Sequence, residues 1–213
     1  MNKKCYIVGA GDNSGTNFSK GKDEYVIAAD GGLATLEKLG IQPDFILGDF
    51  DSLGYVPDGK NIEVHKVEKD DTDMMLSVER AVESGYNEIE IFGGTGGRID
   101  HTVANFQTML WASKQNVKIK MTDKNHVYFM ITNDTLEIKG KDGADLSVFA
   151  FGGDAKGVTI KGGKYQAENV TLTMDNPTAV SNSFIGEKVR ISVESGSLLV
   201  IVPAQEPAPQ AHL

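Results

Sequence analysis

The sequence predicts two successive domains, an α/β domain followed by an all-β domain. Across the first 122 residues, short apolar runs typical of strands alternate with stretches whose apolar residues recur at helical spacing. After about residue 123 the helical spacing ends, and β-like runs follow one another across Gly, Asn and Asp turns. The first pattern favours a mainly parallel, Rossmann-like sheet with helices on its faces, and the second favours a β-sandwich or jelly-roll-like domain.

Domain boundaries follow from these changes in pattern. We assign residues 1–122 to the α/β domain and residues 123–203 to the β domain. The Pro-rich end, 204–213, has the composition of a disordered tail.

Six strands are predicted in the first domain from runs of mainly apolar residues. They are Lys4–Val8, Tyr25–Ala29, Phe45–Leu47, Ile62–Val67, Glu88–Phe92 and Val117–Met121. Three helices are predicted between them, one spaced by Leu33, Leu36 and Leu39, one by Met75, Val78, Ala81 and Val82, and one by Ile99, Val103, Phe106 and Leu110. Gly40 and Gly85 are expected to end the first two helices.

Six further strands are predicted in the second domain. They are Val127–Ile131, Leu146–Phe151, Val158–Ile160, Val170–Met174, Lys188–Val193 and Leu198–Val202. Glycine-rich turns separate them, as in Lys139–Gly143.

Composition and charge limit the function classes. The net charge of −9 argues against a broad nucleic-acid surface, which requires clustered Lys and Arg. No run approaches the roughly 18 apolar residues that a membrane helix requires. Cys5 is the only cysteine, so no intrachain disulfide forms, and its apolar strand predicts a buried structural thiol. A cytoplasmic protein without nucleic-acid or membrane partners is expected.

Carboxylates follow the second and third predicted strands, where an open parallel sheet binds its ligands. The second strand leads into Asp30, and the third into Asp49 and Asp51, which point to the same side if the backbone stays extended. Two neighbouring carboxylates stay ionised when a cation is near, and a hard cation such as Mg²⁺ suits oxygen ligands. The alternative is a pair of solvated loop aspartates.

The fourth strand leads into a further acidic segment, Lys69 to Asp73. Thr72 is placed to cap the helix that follows, and acidic residues in a first turn suit the helix dipole. Capping does not require three acids in four residues, so Asp70 and Asp73 are candidate ligands of the same metal. Lys69 is a candidate phosphate contact.

A glycine-rich loop with an arginine follows the fifth strand. Four glycines between Gly93 and Gly97 allow close approach of the backbone to a ligand, and Arg98 offers a charged fork to phosphate. The helix beginning near Asp100 directs free amides at an anion. Asp100 beside a phosphate suggests metal binding or a base, while His101 is open between a helix-surface role and a ligand contact.

These features together match phosphoryl-type transfer driven by positioning and charge neutralisation. The chain contains no GxxxxGK[ST] motif, and its GxGxxG pattern fails at Ser14.

The ordered motifs resemble the thiamine pyrophosphokinase family. They are Ala29–Gly32, Gly48–Ser52, Lys69–Asp73, Gly96–His101, Val180–Phe184 with Gly186, and Gly196–Val200. They span nearly the whole chain. The resemblance implies transfer of pyrophosphate from ATP to thiamine, with Mg²⁺, in a homodimer that holds thiamine between one subunit's α/β domain and the partner's β domain.

The resemblance also implies roles for individual residues. Asp49, Asp51, Asp70 and Asp73 would be metal ligands, and Asp49, Asp51, Asp73 and Asp100 would be catalytic. ATP would be bound by Asp30, Gly31, Gly48, Gly94, Arg98 and His101, and thiamine by Ser181 and Asn182. Asp71 would be a solvated neighbour. The late tryptophan that stacks on thiamine in animal relatives has no counterpart, because Trp111 lies in the first domain and is interpreted as packing.

Two other functions fit parts of the pattern. The aspartate-rich loops alone also allow another Mg²⁺-dependent nucleotide transferase or phosphohydrolase, and an acidic α/β domain with a β-sandwich could bind ligand without turnover. Mg²⁺-dependent consumption of ATP separates the enzymes from the binding module.

Overall fold

The computed structural model describes residues 3–48, 61–64, 71–204 and 210–212. The chain divides into two compact units. The first comprises Met1–Ala112 and Ile119–Lys124, and the second comprises Ser113–Lys118 and Asn125–Leu213.

The first part of the chain alternates strands with helices, as the apolar patterns predict. The strands are β1 (Lys4–Val8), β2 (Tyr25–Ala29), β3 (Phe45–Gly48), β4 (Ile62–Val64), β5 (Glu88–Phe92) and β6 (Lys118–Thr122). The helices are α1 (Gly32–Leu39), α2 (Asp73–Glu83) and α3 (Ile99–Lys114). The predicted strand Ile62–Val67 is confirmed as far as Val64, and residues 65–67 lie outside the described residues.

The sheet of the first unit has the strand order β6-β5-β1-β2-β3-β4. β1 pairs in parallel with β2 and β5, β2 with β3, and β3 with β4. β1, β2 and β5 are buried along almost their whole length, as is typical of strands covered on both faces. The strands pair in parallel, so β1, β2, β3 and β5 all end at the same edge of the sheet.

Helix ends in the first unit follow the predicted signals. α1 ends at Gly40, whose φ of 68° suits glycine. Thr72 caps α2 as predicted, since its hydroxyl accepts a hydrogen bond of 3.1 Å from the N–H of Met75.

Helix α3 is confirmed as an element, but its predicted buried face is wrong. The side chain of Ile99 is 75% exposed and that of Val103 49% exposed. The buried face instead carries Asn105, Thr108 and Met109. Two of these side chains are polar, and each has a hydrogen-bond partner inside the unit, so their burial carries little penalty.

The second unit is mostly β. Its strands are β7 (His126–Thr132), β8 (Thr135–Lys139), β9 (Asp145–Ala150), β10 (Ala155–Lys161), β11 (Ala167–Leu172), β12 (Asn182–Ser183), β13 (Lys188–Ser192), β14 (Ser197–Pro203) and β15 (Gln210–His212). The orders are β12-β9-β14-β7 in one group and β11-β10-β13-β8-β15 in the other, with antiparallel pairing.

One apolar core joins the two groups of strands in the second unit. Phe129 and Val200 contribute from the first group, and Leu136, Val158 and Ile191 from the second. Burial alternates along β8 and β9, so each strand turns one face to this core.

Three strands of the second unit, β8, β12 and β15, were not predicted. β8 (Thr135–Lys139) was not predicted, and it occupies Lys139, the first residue of the predicted turn Lys139–Gly143. The expectation of a disordered tail for 204–213 is wrong for Gln210–His212, which form β15 against β8. An edge strand such as β8 presents unpaired N–H and C=O groups, and an extended segment of any polarity can pair with them.

Cys5 is buried in β1, as predicted for a structural thiol. Burial raises the pKa of this thiol, which keeps it protonated and unreactive. In the part of the chain that the structure describes, no helix has the length and apolar character to cross a membrane.

We predict that Gly32→Ala destabilises the first unit by about 1–3 kcal/mol, the usual cost of overpacking a well-packed core. A Cβ at Gly32 would overlap the carbonyl oxygen of Val8, so α1 would have to move away from β1. Urea denaturation measures the change. Lys38→Ala, on the exposed face of the same helix, is the control and should change stability by less than about 0.5 kcal/mol. Equal stability of both variants would contradict this packing.

Candidate functional site

A cavity of about 520 Å³ lies in the first unit, beyond the carboxyl ends of β1, β2 and β5. The starts of α2 and α3 complete it. Its lining residues are Gly9, Ala10, Gly11, Ala29, Asp30, Asp71, Thr72, Asp73, Met74, Gly93, Gly94, Thr95, Gly96, Arg98, His101, Thr102 and Asn105. Glycines, carboxylates and helix N-termini therefore surround one space.

Hydrogen bonds hold the glycine loop after β5 against the loop after β1. The carbonyl of Gly93 accepts from the N–H of Gly11 at 2.9 Å, and that of Thr95 accepts from the N–H of Asp12 at 2.7 Å. The Asn13 amide donates to the carbonyl of Gly9 at 2.8 Å and so braces the β1 loop in turn. The two loops form one rigid wall of the cavity.

Asp30 lies in the cavity wall at the end of β2 with a left-handed backbone, φ 49°. Its N–H donates to the carbonyl of Leu47 at 2.7 Å, which fixes it to the end of β3. Gly48, the residue after Leu47, lies against the Asp30 backbone. Gly31, the residue after Asp30, is the N-cap of α1. Left-handed backbone outside glycine is uncommon and concentrates at functional sites.

Further carboxylates enter the cavity at the start of α2. Asp73 is the first residue of this helix and lines the cavity with Thr72 and Asp71. Asp71, expected to be a solvated neighbour, is exposed and also belongs to the lining. The predicted metal ligands Asp49, Asp51 and Asp70, and the candidate phosphate contact Lys69, lie outside the described residues.

Arg98 and Asp100 form a bidentate ion pair at the start of α3. The guanidinium donates to the two carboxylate oxygens at 2.6 and 3.2 Å, and the N–H of His101 donates to one of them at 3.0 Å. Arg98 and His101 line the cavity, whereas Asp100 is not among the lining residues. Asp100 is therefore paired with Arg98 outside the cavity lining.

This ion pair perturbs both groups. The hydrogen bonds from Arg98 lower the pKa of Asp100 below the ordinary carboxyl range, and Asp100 raises the pKa of Arg98. A carboxylate with a lowered pKa is a weaker base, so Asp100 accepts a proton less readily while Arg98 holds it.

The chemistry of the described donors suits a hard cation. Asp30, Asp71 and Asp73 all line one cavity, and carboxylate oxygens are the ligands that Mg²⁺ prefers. Among the described residues alone, no three or more His, Cys, Asp or Glu side chains form a group that could hold a metal. Asp73 is the one predicted ligand that the structure describes.

Comparison with known proteins identifies the family. Residues 19–121 match "Thiamin pyrophosphokinase, catalytic domain", and residues 134–198 match "Thiamin pyrophosphokinase, vitamin B1 binding domain". A thiamine pyrophosphokinase of Bacillus subtilis is 33% identical over 183 residues, which cover 82% of this chain and 85% of the relative.

The chain belongs to the thiamine pyrophosphokinase family.

Solved structures of this family share the fold. The thiamine pyrophosphokinase of Bacillus subtilis superposes with a TM-score of 0.83 at 29% identity and covers 94% of this chain and 99% of that one. The thiamin pyrophosphokinase of Geobacillus thermodenitrificans gives 0.79 at 26% identity, covering 96% and 99%.

The two predicted thiamine residues lie in the second unit. Ser181 is exposed, has a left-handed backbone (φ 60°), and its N–H donates to the Ser147 hydroxyl at 3.2 Å. Asn182 is buried, with 4% of its surface exposed. Its amide oxygen accepts from the N–H of Tyr165 at 2.9 Å and from the N–H of Ser183 at 2.8 Å, and its NH₂ donates to the Tyr165 carbonyl at 2.6 Å.

These bonds indicate that Asn182 holds the backbone of Tyr165. The Tyr165 side chain is itself 60% exposed, and the Lys164 ammonium lies 5.3 Å from its ring centroid. Phe184, in contrast, is buried in the core of the unit. Trp111 is partly buried in α3, which is compatible with the packing role proposed for it.

Three polar residues that line the cavity were not predicted as site residues. Thr95 donates from its hydroxyl to Asp123 at 2.8 Å, Asn105 donates to the Gly94 carbonyl at 2.7 Å, and Thr102 lies one turn before Asn105. For Thr102 and Asn105 the available signal was helical spacing, since positions 101, 102 and 105 share one face of α3.

We predict that Arg98→Gln raises the pKa of Asp100 towards its ordinary value of about 3.9. A folded-state pKa below the ordinary value means that the pair stabilises the fold above that value, and that this stabilisation is lost as pH falls through the lowered pKa. NMR titration of the Asp100 carboxyl measures the change. Glu137, whose pKa Lys188 and Arg190 lower, is the internal control and should not respond. An unchanged Asp100 titration would show that Arg98 does not hold it in solution.

We predict that Asn182→Ala lowers the free energy of unfolding by about 1–3 kcal/mol, because it removes the hydrogen bonds that this buried side chain makes to the Tyr165 backbone. Ser181→Ala, a change at the exposed neighbour, is the matched control and should cost less than about 1 kcal/mol. Denaturant titration of both variants makes the comparison. The structure would be contradicted if Asn182→Ala were as stable as the unmodified protein.

Proposed function

We propose that this chain is a thiamine pyrophosphokinase, which transfers a pyrophosphoryl group from ATP to thiamine and releases AMP. The observation that carries this proposal is the match of both halves of the chain to the catalytic and vitamin B1 binding descriptions of the family. The carboxylate- and glycine-lined cavity at the carboxyl ends of the parallel strands supports it, because nucleotides bind at that edge of such sheets.

The two parts of the chain would divide the substrates. Residues 1–122 would form a Rossmann-like catalytic domain that binds ATP, and residues 123–203 a β-sandwich that binds thiamine. We assign the ATP site to Asp30, Gly31, Gly48, Gly94, Arg98 and His101. In support, four of these six line the cavity, and the other two adjoin Asp30.

Mg²⁺ would be held by Asp49, Asp51, Asp70 and Asp73. The position of Asp73 in the cavity lining supports this role. Carboxylate oxygens are the ligands that Mg²⁺ prefers. When bound, the ion would neutralise negative charge on the phosphates.

The reaction requires an in-line displacement at the β-phosphorus. The hydroxyethyl oxygen of thiamine forms a bond to that phosphorus, the bond from the β-phosphorus to the α–β bridging oxygen breaks, and AMP leaves with that oxygen. The hydroxyl proton passes to an aspartate. Asp100 and the metal-binding aspartates Asp49, Asp51 and Asp73 are the candidates, and Asp100 would first have to separate from Arg98.

Arg98 would bind the phosphates that are transferred. It lines the cavity, and its guanidinium forms a bidentate ion pair with Asp100. A phosphate offers the same bidentate geometry as a carboxylate, so an incoming triphosphate can replace Asp100 as the partner.

Thiamine would meet Ser181 and Asn182, with Asn182 ordering the segment around Tyr165. By family resemblance, the protein would act as a cytoplasmic homodimer, in which each thiamine lies between the α/β domain of one subunit and the β domain of its partner.

The test is an assay of purified protein with ATP, MgCl₂ and thiamine, with products separated by chromatography and EDTA as control. Equal amounts of AMP and thiamine diphosphate, abolished by EDTA, would support the proposal. ADP with thiamine monophosphate would mean transfer of the γ-phosphoryl group instead. ATP consumption without thiamine would favour another acceptor.

We predict that Asp73→Asn and Asp49→Asn each lower kcat/KM by at least about 100-fold, because both remove negative charge from the proposed Mg²⁺ site. Circular dichroism should show intact folding. Asp23→Asn, a change at an exposed carboxylate of the first unit that is not part of the cavity lining, is the control and should stay within about threefold of the unmodified enzyme. Near-normal turnover by both test variants would remove the metal-site assignment.

A further inference from the structure

Four successive carbonyl groups, from Phe92 at the end of β5 to Thr95, are all held by hydrogen bonds. Those of Phe92, Gly93 and Thr95 accept from backbone N–H groups of the β1 loop, at 2.8, 2.9 and 2.7 Å. The carbonyl of Gly94 is the exception, because its partner is a side chain, the amide of Asn105, at 2.7 Å. Among the described residues, Asn105 is the only residue of α3 that donates a hydrogen bond to one of these four carbonyls.

Asn105 is built into the cavity wall rather than exposed on the helix. Its surface is 7% exposed, and it lines the same cavity as Gly94 and Thr95. Gly94 is confined on its other side, since a Cβ there would overlap the sulfur of Met121. Asn105 is therefore the described side chain that fixes the orientation of the Gly94–Thr95 peptide.

The orientation of that peptide determines where an N–H group points. In a trans peptide the C=O of one residue and the N–H of the next point in opposite directions. With the Gly94 carbonyl directed at Asn105, the N–H of Thr95 points away from Asn105. Backbone N–H groups arrayed in a loop form a binding site for anions such as phosphate oxygens.

We propose that Asn105 is a positioning residue for phosphate recognition: by holding the Gly94 carbonyl, it orients the Thr95 N–H for a phosphate oxygen of the nucleotide. This inference rests on the proposed use of ATP. It assigns no contact between Asn105 and the reacting atoms, so the residue acts through the loop. Loss of the amide allows the Gly94–Thr95 peptide to rotate, which weakens nucleotide binding without changing the thiamine site.

Two substitutions at Asn105 and one control test the proposal. Asn105→Ala removes the amide, and Asn105→Asp keeps its shape but, when ionised, has no N–H to donate. Thr108→Val is the matched control, because Thr108 is a buried polar residue of the same helix whose hydroxyl donates to the Ala104 carbonyl of that helix at 3.1 Å. Calorimetry with ATP and MgCl₂ measures the affinity of the full chain.

We expect both Asn105 variants to bind ATP about tenfold more weakly, the effect of losing roughly one hydrogen bond. The KM for ATP should rise by the same factor, while kcat and the KM for thiamine should change less than about twofold. Thr108→Val should match the unmodified protein. The amide resonance of Thr95 should shift on addition of ATP in the unmodified protein, and this shift should shrink in Asn105→Ala.

Other outcomes overturn the inference. Equal ATP affinity in the unmodified protein and in Asn105→Ala would show that the amide does not position the loop. Equal weakening by Asn105→Ala and Thr108→Val would show a general loosening of α3. If Asn105→Asp fails to fold, Asn105→Ala and the Thr95 resonance of the unmodified protein still decide. Failure of the unmodified protein to bind ATP would instead reject the proposed function.

Discussion

The parallel pairing of β1 with β2 and β5 is the constraint on which the rest of the first unit depends. Parallel strands bring their carboxyl ends to one edge, so loops distant in sequence must meet there. Asp30 after β2, Gly93 after β5 and Asp73 at the start of α2 all reach one cavity for this reason. The burial of β1, β2 and β5 on both faces fixes the edge, because no strand can shift without exposing apolar surface.

Backbone hydrogen bonding then converts this edge into a binding site. The carbonyls from Phe92 to Thr95 are directed to partners in the β1 loop and in α3, so four hydrogen bonds hold the first part of the glycine loop. The carboxylates of the cavity come from other segments, namely from Asp30 and from the start of α2. A site that combines ordered amides with carboxylates can bind an anion and a cation side by side, as a nucleotide with its metal requires.

Much of the fold was predictable from local pattern, and the errors have physical causes. β1, β2 and β5 were predicted to the residue, because β1 and β2 are mainly apolar runs and β5 alternates Glu with Ile before Phe92 and the glycine loop. β8 was missed although Leu136 and Ile138 alternate with polar residues, since a single short alternation between turns is a weak signal. The buried face of α3 was misjudged because Asn105 and Thr108 are buried through hydrogen bonds, which apolar spacing does not reveal. The role of Asn182 depends on a tertiary partner, Tyr165, which no spacing rule identifies. The position of Asp100 depends on its ion pair with Arg98, two residues earlier, and sequence spacing alone does not show that the two side chains bind each other.

The most direct test of this account is a crystal structure with Mg²⁺ and an ATP analogue whose α–β bridging oxygen is replaced by methylene. The account predicts phosphates in the cavity of the first unit, with oxygens at the amides between Gly94 and Gly96, a guanidinium contact from Arg98, and the ion at Asp73. Nucleotide bound outside this cavity, or phosphates that leave the glycine loop untouched, would contradict it.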